Sequence, residues 1–176
     1  IVHSDQGDLA FQHYFVREGC GPKVSGFSFD GIANAKLNPL IREWLADCDG
    51  VIICPSNPFV SVDPMLHLDG FGEALKSLPV IAVSPIVGGI AIKGPAAKMM
   101  HELNMPATAL AVADHYQGLI DGFVVDQTDA ALVEQFNVPT ISTPSVMVTL
   151  QDRIDLARTC VSFLASLSSN LSLIHI

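Results

Sequence analysis

Two short apolar runs, Val51-Ile52-Ile53-Cys54 and Val80-Ile81-Ala82-Val83-Ser84, restrict the fold of this chain more than any other feature. Each is too short for a helix, lacks the alternation of a half-exposed strand and stops at turn residues, the pattern of a strand covered on both faces. Pro55-Ser56-Asn57-Pro58 ends the first, and a loop from Pro85 to Gly94 follows the second. Gly122 to Asp126 is a third strand of this kind, and Val138 to Ser142 a shorter fourth. Val24 to Phe29, near the start, suits a strand at an edge.

Helical patterns separate these strands. Asn38 followed by Pro39 favours a helix start, with Leu40, Ile41, Trp44 and Leu45 as its buried stripe. Further helices are predicted for Asp8 to Arg17, Met65 to Lys76 (weakened by Gly70 and Gly72), Ala96 to Leu103, Ala109 to Tyr116 behind a Thr108 cap, and Thr128 to Phe136. A last helix, Leu150 to Leu164, would turn Ile154, Ala157, Val161 and Leu164 inward and Arg153 and Arg158 outward. Strands joined through helices imply right-handed crossovers, so the predicted fold class is α/β: Rossmann-like and doubly wound, a mainly parallel sheet with helices on both faces. Ligands in such sheets sit beyond the carboxyl ends of the strands.

Composition narrows the function classes. With 49% apolar and 15% charged residues over 176 positions, the chain can fill one core and is not disordered. A net charge of -9 excludes the basic stripes that nucleic acid requires, while a small phosphorylated ligand needs only local amides and a cation. Cys20, Cys48, Cys54 and Cys160 form no CxxC pair and fit reduced thiols; no apolar run suits a bilayer, so a cytoplasmic protein is expected. Residues 1–165 read as one domain. Because the chain opens at Ile1 without an initiating Met and closes on a Ser-rich stretch, a fragment is expected, with residues 166–176 read as a non-native tail.

Chemistry concentrates on the two loops. Ser56 and Asn57, between prolines, either shape a turn or offer a hydroxyl, an amide and backbone N–H groups to a ligand, with Ser61 further along. The second loop begins at Ser84 and carries Gly88, Gly89, Lys93 and Gly94 ahead of a helix at Pro95. Glycines admit close approach of a phosphate and Lys93 supplies positive charge, although a tight strand-to-helix connection would need glycines too. His115 could touch a ligand or cap its helix. No catalytic set of Ser-His-Asp or Cys-His type is assignable, and no metal ligands stand out.

Several runs together resemble the 2-phospho-L-lactate transferase family: Val51 to Pro64, Pro79 to Met100 with its SPIVGG and KGPAAKMM segments, Val112 to Tyr116, Leu119 to Phe123, and Gly7 to Arg17. The resemblance implies an enzyme that moves a phospholactyl or phosphoenolpyruvyl group from a guanylyl-diphosphate donor to the hydroxyl of the deazaflavin Fo. It would release GMP, in the biosynthesis of the hydride carrier factor 420. It implies Mg²⁺ as cofactor, a donor diphosphate lined by Ser56, Asn57, Ser84, Gly88, Gly89, Lys93 and Gly94, and His115 nearby. The family's Gly-rich loop and the acidic residues for metal and deazaflavin are expected upstream of Ile1, so the isolated chain should have little activity. A homodimer is compatible with the apolar composition. The alternative is a non-catalytic, UDP-sugar-binding regulator of the gluconeogenesis-factor family, which shares the broader fold.

Overall fold

The computed structural model describes residues 1–92 and 94–171, the last four by their backbone alone. Its centre is a four-stranded, all-parallel sheet in the order β4-β5-β8-β9. These strands are β4 (Val51–Ile53), β5 (Val80–Val83), β8 (Gly122–Asp126) and β9 (Thr140–Thr143). The register is tight, with Ile81 opposite both Ile52 and Gly122. Ahead of it lie β1 (Val2–Ser4), β2 (Gly7–Leu9) and β3 (Val24–Phe27), a small antiparallel sheet with β1 in the middle. A hairpin, β6 (Ile86–Val87) and β7 (Ile90–Ala91), follows β5.

Strand alternation divides the core. Val80, Ala82, Phe123 and Val125 face one cluster, which also holds Phe59, Val62, Met99, Met100 and Val112. Ile81, Val83 and Val124 face the other, closed by Leu156, Cys160 and Leu164. The expected α/β architecture is therefore present, with helices on both faces. Among the described strands the order advances in one direction only. Right-handed crossovers that all step the same way must lie on the same face. Accordingly α2 (Asp63–Leu66), α3 (Phe71–Leu75), α4 (Ala96–Glu102) and α5 (Ala109–His115) share the first face, and α6 (Leu150–Leu171) covers the second.

Several predicted elements differ. Asp8 to Arg17 is not one helix: Gly7–Leu9 pairs with β1, and the chain coils only from residue 11 to 17, with His13–Arg17 a π-helical turn around the buried Tyr14. Met65 to Lys76 splits into α2 and α3, because Gly70 sits at a φ of 79° between them. Thr128 to Phe136 is a run of 3-10 turns, Gln127–Gln135. α1 (Pro39–Asp47) has its Asn38 cap, yet it buries none of its residues; Leu40, Ile41 and Trp44 are exposed and only Leu45 meets the core. It lies beside α3, while β4, expected to be covered on both faces, is at the edge of the described sheet, its side chains half-buried. On α6 the buried stripe is Leu156, Cys160 and Leu164, and Val161 and Ala157 point outward. α6 also runs on through Leu171, with Leu167 against the second cluster; residues 172–176 lie outside the described residues.

Candidate functional site

The loops after β4 and β5 open on a common cleft of about 340 Å³. Pro55, Ser56 and Asn57 line it from the first, and Ser84, Pro85 and Ile92 from the second. It lies at the carboxyl ends of the strands, where backbone groups leaving a parallel sheet lose their ladder partners and a ligand can replace them. Its volume is at the lower end of small-molecule sites.

The individual side chains divide between shaping the loops and facing the cleft. Asn57 Oδ1 accepts from Phe59 N at 3.0 Å and its amide reaches Met99 Sδ at 3.2 Å, so the carboxamide caps the π-helical turn Pro58–Val62. Ser84, 2% exposed, donates to the Ile86 carbonyl at 2.8 Å and accepts from Ile86 N at 3.1 Å. That double bond folds the chain from β5 into the hairpin. The Ser56 hydroxyl has no protein partner among the described residues and is available to a ligand.

Gly88 and Gly89 stand at the tip of the β6–β7 hairpin with φ of 56° and 81°. Two consecutive positive φ values are what a two-residue hairpin turn with the twist of its strands demands, so the turn by itself accounts for this pair. Gly88 N donates to Asp129 Oδ2 at 3.0 Å, and neither glycine is among the residues lining the cleft. Gly94 also has a positive φ, 71°, and lies outside the lining. Lys93 lies outside the described residues.

His115 is not in the cleft either. Its Nε2 sits 2.8 Å from Asp63 Oδ1, and its ring meets Phe59 and Tyr116 edge-on. The pair ties the start of α2 to the end of α5. Burial, and secondarily the charge of Asp63, raise the Tyr116 phenol well above its ordinary value, which keeps it neutral. Asp63 carried no separate signal in the sequence beyond its place at the end of the Val51 to Pro64 run.

Ser145, Met147 and Arg153 add a further wall; the sequence marked none of them as a site residue and read Arg153 only as an outward-facing position of the last helix. Asp126, at the end of β8 and 4% exposed, anchors this wall. Its Oδ1 accepts from Thr128 N and Oγ1 at 2.9 and 2.7 Å, and its Oδ2 accepts from Ser145 N and Oγ at 2.8 and 3.0 Å. Burial disfavours the charge, but the bonds from Thr128 and Ser145 outweigh it and hold the carboxyl below its usual range. Among the described residues the cleft lining contains no carboxylate, and no group of three or more His, Cys, Asp or Glu side chains could hold a metal ion. These residues therefore do not by themselves fit a Mg²⁺ site. All four cysteines are free, and burial pushes the Cys160 thiol up to about 11. Among the described residues no helix is long and apolar enough to cross a membrane.

Comparison with known proteins places this geometry in context. Residues 1–153 match the family model described as 2-phospho-L-lactate transferase CofD. The chain is similar to the 2-phospho-L-lactate transferase of Methanococcoides burtonii, 35% identical over 170 residues, which is 95% of this chain and 56% of that protein. It is 38% identical over 130 residues to the enzyme of that name from Methanosarcina acetivorans, covering 74% of this chain and 42% of the relative. The corresponding figures for Methanocaldococcus jannaschii are 32% over 159 residues, 90% and 51%. The chain thus spans about half the length of the curated relatives it matches.

Proposed function

The chain belongs to the 2-phospho-L-lactate transferase family, and from that premise we propose that its cleft holds the diphosphate of a guanylyl-diphosphate donor. The reaction is transfer of a phospholactyl or phosphoenolpyruvyl group to the deazaflavin Fo. The Fo hydroxyl oxygen forms a bond to the donor phosphorus that carries the lactate or enolpyruvate C2 oxygen, the bond from that phosphorus to the bridging oxygen breaks, GMP leaves with the bridging oxygen, and the hydroxyl proton passes to solvent or a base. Such a displacement asks the protein mainly to position phosphates and offset charge. The supporting observation is the convergence of the Ser56-Asn57 loop and the Ser84-to-Ile92 segment on one cleft at the ends of adjacent parallel strands. Among the described residues no group of three or more His, Cys, Asp or Glu side chains could hold the Mg²⁺ of this reading. The reading places the reaction in the cytoplasm.

Calorimetry with GDP and with a UDP-sugar tests the reading. GDP is expected to bind and the UDP-sugar to bind more weakly. A preference for the uridine ligand would replace the transferase reading with that of a UDP-sugar-binding regulator. In an assay of GMP release from the donor in the presence of Fo, the 176-residue chain alone is expected to show little or no turnover while retaining GDP binding, since it spans half of its relatives. Full turnover by the isolated chain would contradict an incomplete site.

A further inference from the structure

A diphosphate in this cleft requires a counter-charge. The chain carries 18 acidic and 9 basic residues, yet among the described residues the lining holds one cation, Arg153, and no acid. Arg153 lies in the first turns of α6, on the wall facing the two strand-end loops. Its acidic neighbours are occupied elsewhere. Asp152 Oδ2 accepts from Val148 N at 3.0 Å and Thr149 N at 2.7 Å, while Asp155 Oδ1 accepts from Gln151 at 2.8 Å and lies 3.9 Å from Arg158. Among the described residues no carboxylate pairs with Arg153. The segment that delivers it is fixed at both ends, by Asp126 holding Ser145 and by Asp152 closing the helix start with Thr149, whose Oγ1 accepts from Asp152 N at 3.2 Å. An exposed arginine on an anchored segment, without a counterion among the described residues, is suited to phosphate, because its planar fork can give two parallel hydrogen bonds and its charge is permanent.

We propose that Arg153 is the donor-diphosphate cation of this cleft and the residue that separates a nucleoside diphosphate from a monophosphate, with Asp126 and Asp152 positioning it through the segment entering α6. This rests on the nucleotide reading above. A second phosphate within reach of the guanidinium strengthens binding, whereas a nucleoside without it loses nothing when the arginine is removed.

The test is calorimetry of the 176-residue chain with GDP, GMP and guanosine, using the wild type, Arg153→Ala and Arg153→Lys. Arg153→Ala is expected to weaken GDP binding by about 10- to 100-fold, the worth of a hydrogen-bonded charge contact, while changing GMP and guanosine by much less. Arg153→Lys, which keeps the charge but not the fork, is expected to recover part of the loss. The wild type's GDP affinity should also fall with added salt more steeply than that of Arg153→Ala. GDP binding by Arg153→Ala within about twofold of wild type, or equal losses for GDP and GMP, would overturn this assignment and leave the nucleotide reading standing. A wild-type chain that binds no guanine nucleotide would overturn both. Circular dichroism of Arg153→Ala, expected to match the wild type because the side chain is exposed, keeps a folding defect from imitating either result.

Discussion

Asp126 shows how one side chain connects sheet, loop and cleft. Its carboxylate receives four hydrogen bonds from two residues, and an asparagine would turn an N–H donor toward groups that already donate. Asp126→Asn is therefore expected to cost on the order of 2 to 3 kcal/mol, read from the urea midpoint. The folded carboxyl titrates below its unfolded value of about 3.9, so its contribution is complete above that pH and disappears as pH falls through the folded value. The difference between wild type and Asp126→Asn should shrink steadily below about pH 4; a gap unchanged at lower pH would show that the charge is not what Thr128 and Ser145 recognise. Sequence alone gave Asp126 no role beyond ending a strand. Its partner Ser145 lies across β9 from it, and nothing in local spacing marks a bond closed by tertiary contact. Ser56 and Ser84 were legible because position alone, directly after a buried strand, identified them. Gly88 and Gly89 were legible as a pair of required glycines, but composition could not distinguish a hairpin tip from a phosphate cradle.

Among the elements, β5 and β8 were readable because burial on both faces removes polar residues from the run itself. Helix faces were harder. On α6 the sets Ile154, Ala157, Val161 and Leu156, Cys160, Leu164 have comparable helical spacing, and only the close approach of the sheet decides between them. That approach is set partly by glycine. A Cβ on Gly50 would lie 2.8 Å from the Pro79 carbonyl oxygen and 2.8 Å from Leu164 Cδ2, at the junction of β4, β5 and α6. The carbonyl belongs to backbone and already accepts from Val51 N at 2.9 Å, so it cannot move freely. Gly50→Ala is expected to destabilise the fold by about 1 to 3 kcal/mol through overpacking. Gly72, within α3, provides the contrast: nothing lies within 4 Å of its added Cβ. Gly72→Ala should be neutral or stabilising by up to about 1 kcal/mol, as an alanine favours the helix. The denaturation midpoint of Gly50→Ala should fall while that of Gly72→Ala holds or rises; a loss of the same size in both would mean that steric approach of α6 is not what requires glycine at position 50.

At the scale of the whole molecule, the cleft joins segments that are far apart in sequence. Residues after β4, after β5 and at the start of α6 meet there. A ligand that bridges these three segments binds the native state and has little to hold in the unfolded chain, so its binding energy adds to global stability. At a free GDP concentration of about one hundred times its dissociation constant, the added stability is about 2.7 kcal/mol. For a domain of this size each kcal/mol moves the midpoint by roughly 2 to 4 °C, so thermal unfolding should rise by about 5 to 10 °C with GDP. Arg153→Ala at the same GDP concentration should lose about half to five-sixths of that rise, because a 10- to 100-fold weaker site leaves free GDP at only about 10 to 1 times its dissociation constant. Asp126→Asn should begin from a lower midpoint, and its response to GDP should be smaller if the segment from Ser145 to α6 has been released from β8. A GDP-induced rise equal in wild type and Arg153→Ala would show that Arg153 does not hold the phosphates, and the start of α6 would then be a wall of packing rather than of binding.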